Sequence, residues 1–176
     1  MFKFSRIALA AALISLSTLA HAAPADDAVE RGRAALKAMD MPGAMAQFDA
    51  ALKLDPKHAA AAFERGVLYM KAGKLDEAIA DFTTAVLSDP TNGQAFAHRG
   101  EVKIVLNNWK SAFEDFDKAV AASPNDYRVL VIRASYLMGK GDKKAAKSDM
   151  DAAIKIADAH AAEVLTKMRE QMGLDK

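Results

Sequence analysis

Residues 59–92, AAAAFERGVLYMKAGKLDEAIADFTTAVLSDPTN, decide the fold. Ala62, Gly66 and Tyr69 stand at i, i+4 and i+7, the spacing of one face of an α-helix. Beyond Ala72-Gly73 a second stripe begins: Leu75, Ala78, Ile79, Phe82, Ala85 and Val86. Neither stripe alternates at period two or is enriched in β-branched residues, so strands are not indicated. Gly73 suits a helix C-cap, where a left-handed backbone is needed and a residue without Cβ adopts it freely. The spacing predicts two antiparallel helices joined by a short turn. Asp89-Pro90 is read as an N-cap followed by proline at the first position of the next helix.

Outward from this stretch the pattern recurs every 34 residues. Pro56, Pro90 and Pro124 are in register, as are Ala44, Ala78, Ala112 and Ala146, and Ala51, Ala85, Ala119 and Ala153. Phe48, Phe82 and Phe116 repeat at the same step, with Met150 in the fourth place. Arg31-Gly32, Arg65-Gly66 and Arg99-Gly100 recur and end in Arg133-Ala134. Several columns in register define four units, 25–58, 59–92, 93–126 and 127–160. The small residues belong where helices cross closely, and a larger one there costs roughly 1–3 kcal/mol. The phenylalanines fill the gaps between units. Stability then comes from stacking, because one unit cannot bury its own faces.

The fourth unit departs from the pattern, with Ala134 for Gly, Met150 for Phe and Asp158 for Pro. Without that proline its second helix either runs on or breaks near Asp158. A further stripe follows: Ala161, Val164, Leu165, Met168 and Met172. It predicts a helix over about 161–172 that caps the last unit.

The N-terminus reads differently. Lys3 and Arg6 precede an apolar run, Ile7 to Leu19, and Ala20-His21-Ala22 places small residues at both positions a signal peptidase reads. Residues 1–22 are expected to be a cleaved signal peptide, leaving 23–176 as the mature domain. The run is shorter than the roughly 20 residues that span a bilayer, so no transmembrane segment is expected in the mature chain. The style of the signal resembles a bacterial one, and the product is expected in the periplasm.

Composition bounds the rest. Of 176 residues 52% are hydrophobic and 27% charged, enough apolar content for one domain with its own core. A net charge of +1 gives no reason to expect nucleic acid as a partner. The absence of cysteine removes disulfides, thiol catalysis and thiolate metal sites. His58, His98 and His160 have no helical-spacing partners, and Gly139-Lys140-Gly141 lacks the flanking pattern of a phosphate loop. No nucleophile elbow is present. No enzyme, cofactor or metal is expected.

One polar column carries two readings. Arg31, Arg65, Arg99 and Arg133 are followed sixteen residues later by Gln47, Asp81, Asp115 and Asp149. An arginine ladder of this kind either holds an acidic ligand or pairs internally. A matched acid in three of the four units favours internal pairing, since a partly buried guanidinium needs its fork satisfied.

Residues 25–160 resemble the tetratricopeptide repeat family. The second unit has its Gly66, Tyr69, Ala78, Phe82, Ala85 and Pro90, and the third has Phe96, Gly100, Ala112, Phe116, Ala119 and Pro124. The resemblance implies an all-α, right-handed α-α superhelix, a solenoid of about four helix pairs with a C-terminal capping helix. It also implies a concave face, lined by the first helix of each pair, that binds peptides or partner helices. Carried onto this chain, the inward positions include Arg33 and Leu36 in the first unit and Phe63, Val67, Met70 and Lys71 in the second. They continue with Gln94, Glu101, Ile104 and Val105, then Arg128, Val131 and Met138. Family members that clamp a chaperone's terminal carboxylate use Lys, Asn and Arg. The corresponding places here hold Val29, Arg33, Glu64, Gln94 and His98, so that clamp is absent.

The residues support a second face independently. In 59–71, Ala62, Gly66 and Tyr69 point one way while Phe63, Val67 and Met70 point another, where a helix with a single buried stripe would be polar. Either neighbouring units cover that face or a partner does. The expected function is therefore a periplasmic adaptor or scaffold whose partner is another envelope protein or peptide. The alternative is a self-assembling structural protein, a homo-oligomer acting through its stack ends or its last helix.

Overall fold

The structure, a computed structural model, describes residues 24–175, and the expected signal peptide lies outside the described residues. Among the described residues all regular structure is helical. Helix α1 covers 24–37. It is followed by α2 (Met41–Leu54), α3 (Ala59–Lys71), α4 (Leu75–Ser88), α5 (Gly93–Val105), α6 (Trp109–Ala122), α7 (Tyr127–Lys140), α8 (Lys143–Ile156) and α9 (Ala159–Gln171). Successive helices pack as neighbours, pair upon pair, in an all-α superhelical repeat.

Turns within pairs end as the sequence predicts. Gly73 and Gly141 take φ of +73° and +87°, and Asn107 fills the equivalent left-handed place at φ +59°. Between pairs the sequence reading needs one correction. Asp89 does not cap α5: it closes α4, donating its N–H to Ala85 O, and Pro90 lies in the link. The N-cap of α5 is Asn92, whose side chain accepts from Ala95 N–H. The cause is local competition for the carboxylate: Asp89 Oδ1 accepts from Thr91 N–H at 3.0 Å, folding the link into a tight turn. Asp55 does the same with Lys57 N–H, and His58 then caps α3.

The core repeats with the sequence. Phe48, Phe82 and Phe116 are fully buried, and each lies against the glycine sixteen residues earlier. A Cβ on Gly32, Gly66 or Gly100 would sit 2.5, 2.9 or 2.6 Å from the facing ring. Two of the rings also stack onward: Phe116 on Tyr136 of the next pair at 5.2 Å, and Phe82 on His98 at 5.9 Å. The fourth pair solves the same contact differently. Ala134 replaces the glycine and Met150 the ring, and both are fully buried in one cluster. An added methyl opposite an unbranched, adaptable side chain keeps the contact filled.

At Asp158 the chain breaks rather than running on. α8 ends at Ile156, and Ala157-Asp158 makes a shorter link, with Asp158 capping α9 through Ala161 N–H at 2.9 Å. α9 covers the last pair with Leu165, which packs into the cluster of Leu130, Ala134 and Met150 together with Leu174.

Candidate functional site

The first helices of the pairs, α1, α3, α5 and α7, carry the positions expected to face inward. Of these, Val105 is 67% exposed, and Lys71 and Arg128 are also exposed. Leu36, Phe63, Val67, Met70, Ile104, Val131 and Met138 are half-buried, as are Arg33, Gln94 and Glu101. Stacking thus covers the second apolar face in part. Phe63 lies 6.1 Å from Phe82 and 5.8 Å from His98 of the next pair. Val67 and Met70 pack against the cluster of Ala78, Phe82 and Val102.

Polar residues on these helices form a line of contacts from pair to pair. Arg33 donates to Glu64 at 2.9 Å and to Glu30 at 2.8 Å, and these carboxylates, acting against burial, raise its pKa. His98 Nδ1 lies 2.6 Å from Glu101. Tyr136, on the next pair, has its pKa raised by burial and by the neighbouring Glu101 carboxylate. Gln94 donates to Asp126 at 2.8 Å, and Asp126 also accepts from Arg128 Nε at 2.8 Å. Burial alone would favour the protonated acid, but Arg128 and Gln94 outweigh it and hold Asp126 below the usual carboxylate range. Arg33 was the one basic side chain at the clamp positions, and here its charge is already engaged.

The arginine column is internal. Arg65, Arg99 and Arg133 each grip their acid with two bonds, Nε and Nη2, at 2.7–2.8 Å, and Arg31 donates to Gln47 at 2.9 Å. A second set of partners escaped the sequence reading. The remaining nitrogen, Nη1, reaches back to the preceding pair: to Asp49 from Arg65, Thr83 from Arg99 and Asp117 from Arg133. These acceptors are themselves 34 apart, a column that was present to be found. The next member, Asp151, accepts from Arg169 of α9 at 2.6 Å. Arg65, Arg99 and Arg133 therefore each join their own pair to the one before it.

His58 also serves as a link between pairs, with Nε2 2.8 Å from Asp26 and Nδ1 accepting from Ala61 N–H. Its Nε2 therefore carries the proton in this arrangement. His160 is exposed. Among the described residues, no group of three or more His, Asp or Glu is placed to hold a metal ion, and no helix is long and apolar enough to cross a membrane.

Comparison with known proteins agrees with this architecture. No curated protein matches the chain in sequence. Solved structures match closely in fold. MamA is 18% identical with a TM-score of 0.62, over 85% of this chain and 86% of that one. YrrB, described as a TPR protein with an unusual peptide-binding site, is 25% identical with a TM-score of 0.60, over 81% and 76%. The second TPR of Spaghetti (RPAP3), bound to the HSP90 peptide SRMEEVD, is 27% identical with a TM-score of 0.53, over 56% and 92%. Tetratricopeptide repeat family models match residues 29–95, 68–127 and 127–160, most of the chain and all four pairs, and the chain belongs to the tetratricopeptide repeat family.

Proposed function

We propose that the protein is a periplasmic protein–protein interaction module, an adaptor or scaffold that holds a peptide or helix of another envelope protein against α1, α3, α5 and α7. One observation carries this reading. After the pairs have stacked, Ile104 remains only half-buried and Val105 stays exposed, while Val131 and Met138, which pack against the cluster around Met150, keep part of their surface open. Helices that served packing alone would be polar at such positions. Methionine and branched aliphatic side chains tolerate varied apolar partners. The peptide-binding descriptions of YrrB and of the Spaghetti repeat support the class of ligand, though not its identity. A carboxylate-tail ligand of the chaperone kind is not part of the proposal, because Arg33 is already paired with Glu64 and Glu30.

Two measurements test it. Residues 23–176 are immobilised and exposed to an envelope extract beside a Lys71→Glu/Ile104→Glu variant. These positions are preferred to Phe63, whose ring supports the core contact with Phe82. A protein retained by the wild type and lost by a variant with unchanged melting supports the groove. Equal retention by both removes it. Export is tested separately by sequencing the N-terminus of the protein recovered from the periplasm, where Ala23 is expected as the first residue. An intact Met1 terminus in the cytoplasmic fraction defeats that part.

A further inference from the structure

The turns inside the pairs lie on one edge of the array and the links between pairs on the other, because the helices alternate in direction. On the first, at the α5–α6 turn, Leu106 is 45% exposed and Trp109 40% exposed, beside the exposed Val105. The neighbouring end of α7 closes on this turn: Lys140 Nζ stands 4.7 Å from the Phe113 ring centroid. Trp109, Lys110, Phe113 and Lys140 together line a shallow, largely apolar hollow of about 480 Å³.

Basic groups surround it. Lys110, Lys140, Lys143 and Lys144 have no carboxylate within ion-pair distance among the described residues. The acid in their midst, Asp142, spends its carboxylate capping α8, accepting from Ala145 N–H. On the opposite edge every link carries an aspartate: Asp55, Asp89, Asp126 and Asp158. The free lysines gather at the α5–α6 and α7–α8 turns, whereas the α1–α2 and α3–α4 turns of the same edge carry Asp40, Asp76 and Glu77, and the links also hold Lys57 and Arg128.

We propose that the edge formed by the α5–α6 and α7–α8 turns docks on an anionic phospholipid surface, with Trp109 and Leu106 entering the headgroup region and the four lysines meeting lipid phosphates. Apolar and aromatic side chains ringed by lysine are what such an interface selects. A peptide fits less well. The backbone of both turns is already satisfied: Asn107 and Asn108 N–H donate to Ile104 and Lys103, and Gly141 and Asp142 N–H to Met138 and Leu137. The main-chain donors left free beside them, Trp109, Lys110 and Lys144 N–H, are helix-terminal groups that suit an anion rather than the strand edge an extended peptide would need, and the apolar side chains line a short hollow at the turn tips rather than a long groove. The Trp109 indole is anchored by its Nε1–H to Asn107 Oδ1 at 2.8 Å, which fixes the ring at the tip. The docking residues, Leu106, Trp109 and the four lysines, are not among those assigned to the groove, which Val105 alone adjoins.

The chain has a single tryptophan, so its emission reports on this edge alone. Residues 23–176 are used, which contain every described helix and exclude the apolar run 7–19. Titration with vesicles of phosphatidylglycerol and phosphatidylcholine in equal parts is expected to shift Trp109 emission to the blue, and raised salt to reverse it. Pure phosphatidylcholine is expected to give little shift. At roughly fivefold per lysine, Lys140→Gln/Lys144→Gln weakens vesicle binding about 25-fold with melting unchanged. Emission that does not move, or moves equally on neutral lipid, overturns the proposal, as does undiminished binding by the lysine variant. A shift produced by polyglutamate and not by vesicles overturns it in favour of an acidic protein.

Discussion

At the scale of residues, the sharpest constraint is the contact between each glycine and the ring sixteen positions later. A Cβ at Gly100 meets Phe116 Cε1 at 2.6 Å and the Ala112 carbonyl at 3.1 Å. Gly100→Ala is expected to lower stability by about 1–3 kcal/mol, despite the helix propensity that alanine brings. Adding Phe116→Met should recover part of that loss, as Ala134 and Met150 do naturally. The coupling is read from a double-mutant cycle by urea unfolding. Asp115 makes a second prediction. It is 1% exposed, and burial pushes its carboxyl toward protonation, but Arg99 and Lys103 at 2.7 Å outweigh this and hold its pKa below the usual value. A depressed folded pKa contributes stability above the unfolded value, about 3.9, and that stability is lost as pH falls through the folded one. Asp115→Asn should therefore cost on the order of 3 kcal/mol at neutral pH, since it strands two cations. Its acid-unfolding limb below pH ~4 should be shallower than that of the wild type.

At the scale of elements, the helices were legible and the links were not. Stripes such as Leu75, Ala78, Ile79, Phe82 read as helix because their spacing fits one period. The links offer two oxygen-bearing side chains four residues apart or closer, Asp89 and Asn92, and both satisfy the rules for a cap. Only the turn geometry chooses between them. The inward residues were legible as positions and not as surfaces. Nothing in the sequence states that Phe63 is half covered by the next pair while Val105 stands clear, because burial there depends on the pitch of the stack. α9 carries the prediction at this scale. Asp158→Ala removes its cap and should cost about 1 kcal/mol, seen as fraying of α9 in hydrogen exchange while α3 to α6 remain protected. Cutting the chain before Asp158 strips Leu165 and Leu174 from the cluster around Met150. The melting temperature should fall, and a cut protein as stable as the whole would show that α9 is no cap.

At the scale of the whole molecule, the arginines make the array more than a row of independent pairs. Each of Arg65, Arg99 and Arg133 bonds within its pair and back to the previous one, so loss of one guanidinium loosens an interface as well as a pair. Arg99→Met is expected to destabilise by about 3 kcal/mol, because it leaves Asp115 buried with Lys103 alone. Arg31→Met, facing neutral Gln47 at an exposed end, should cost well under 1 kcal/mol. Thermal unfolding of the two variants side by side checks the ratio. This coupling was half legible: the acids sixteen residues ahead were plain, whereas the backward partners Asp49, Thr83 and Asp117 differ in type and hid their common role.

The exchange of Gly and Phe for Ala134 and Met150 also favours one order of events in the descent of the fourth repeat. If all repeats arose by copying one ancestral unit, two substitutions separate this copy from its siblings. Alanine arriving first would have met an unyielding ring at less than 3 Å, as the glycines of the other pairs show. Methionine arriving first would have left a contact that a flexible chain could fill. Loss of the ring first is thus the less costly route, and once alanine followed, a return to phenylalanine would carry the same cost of about 1–3 kcal/mol.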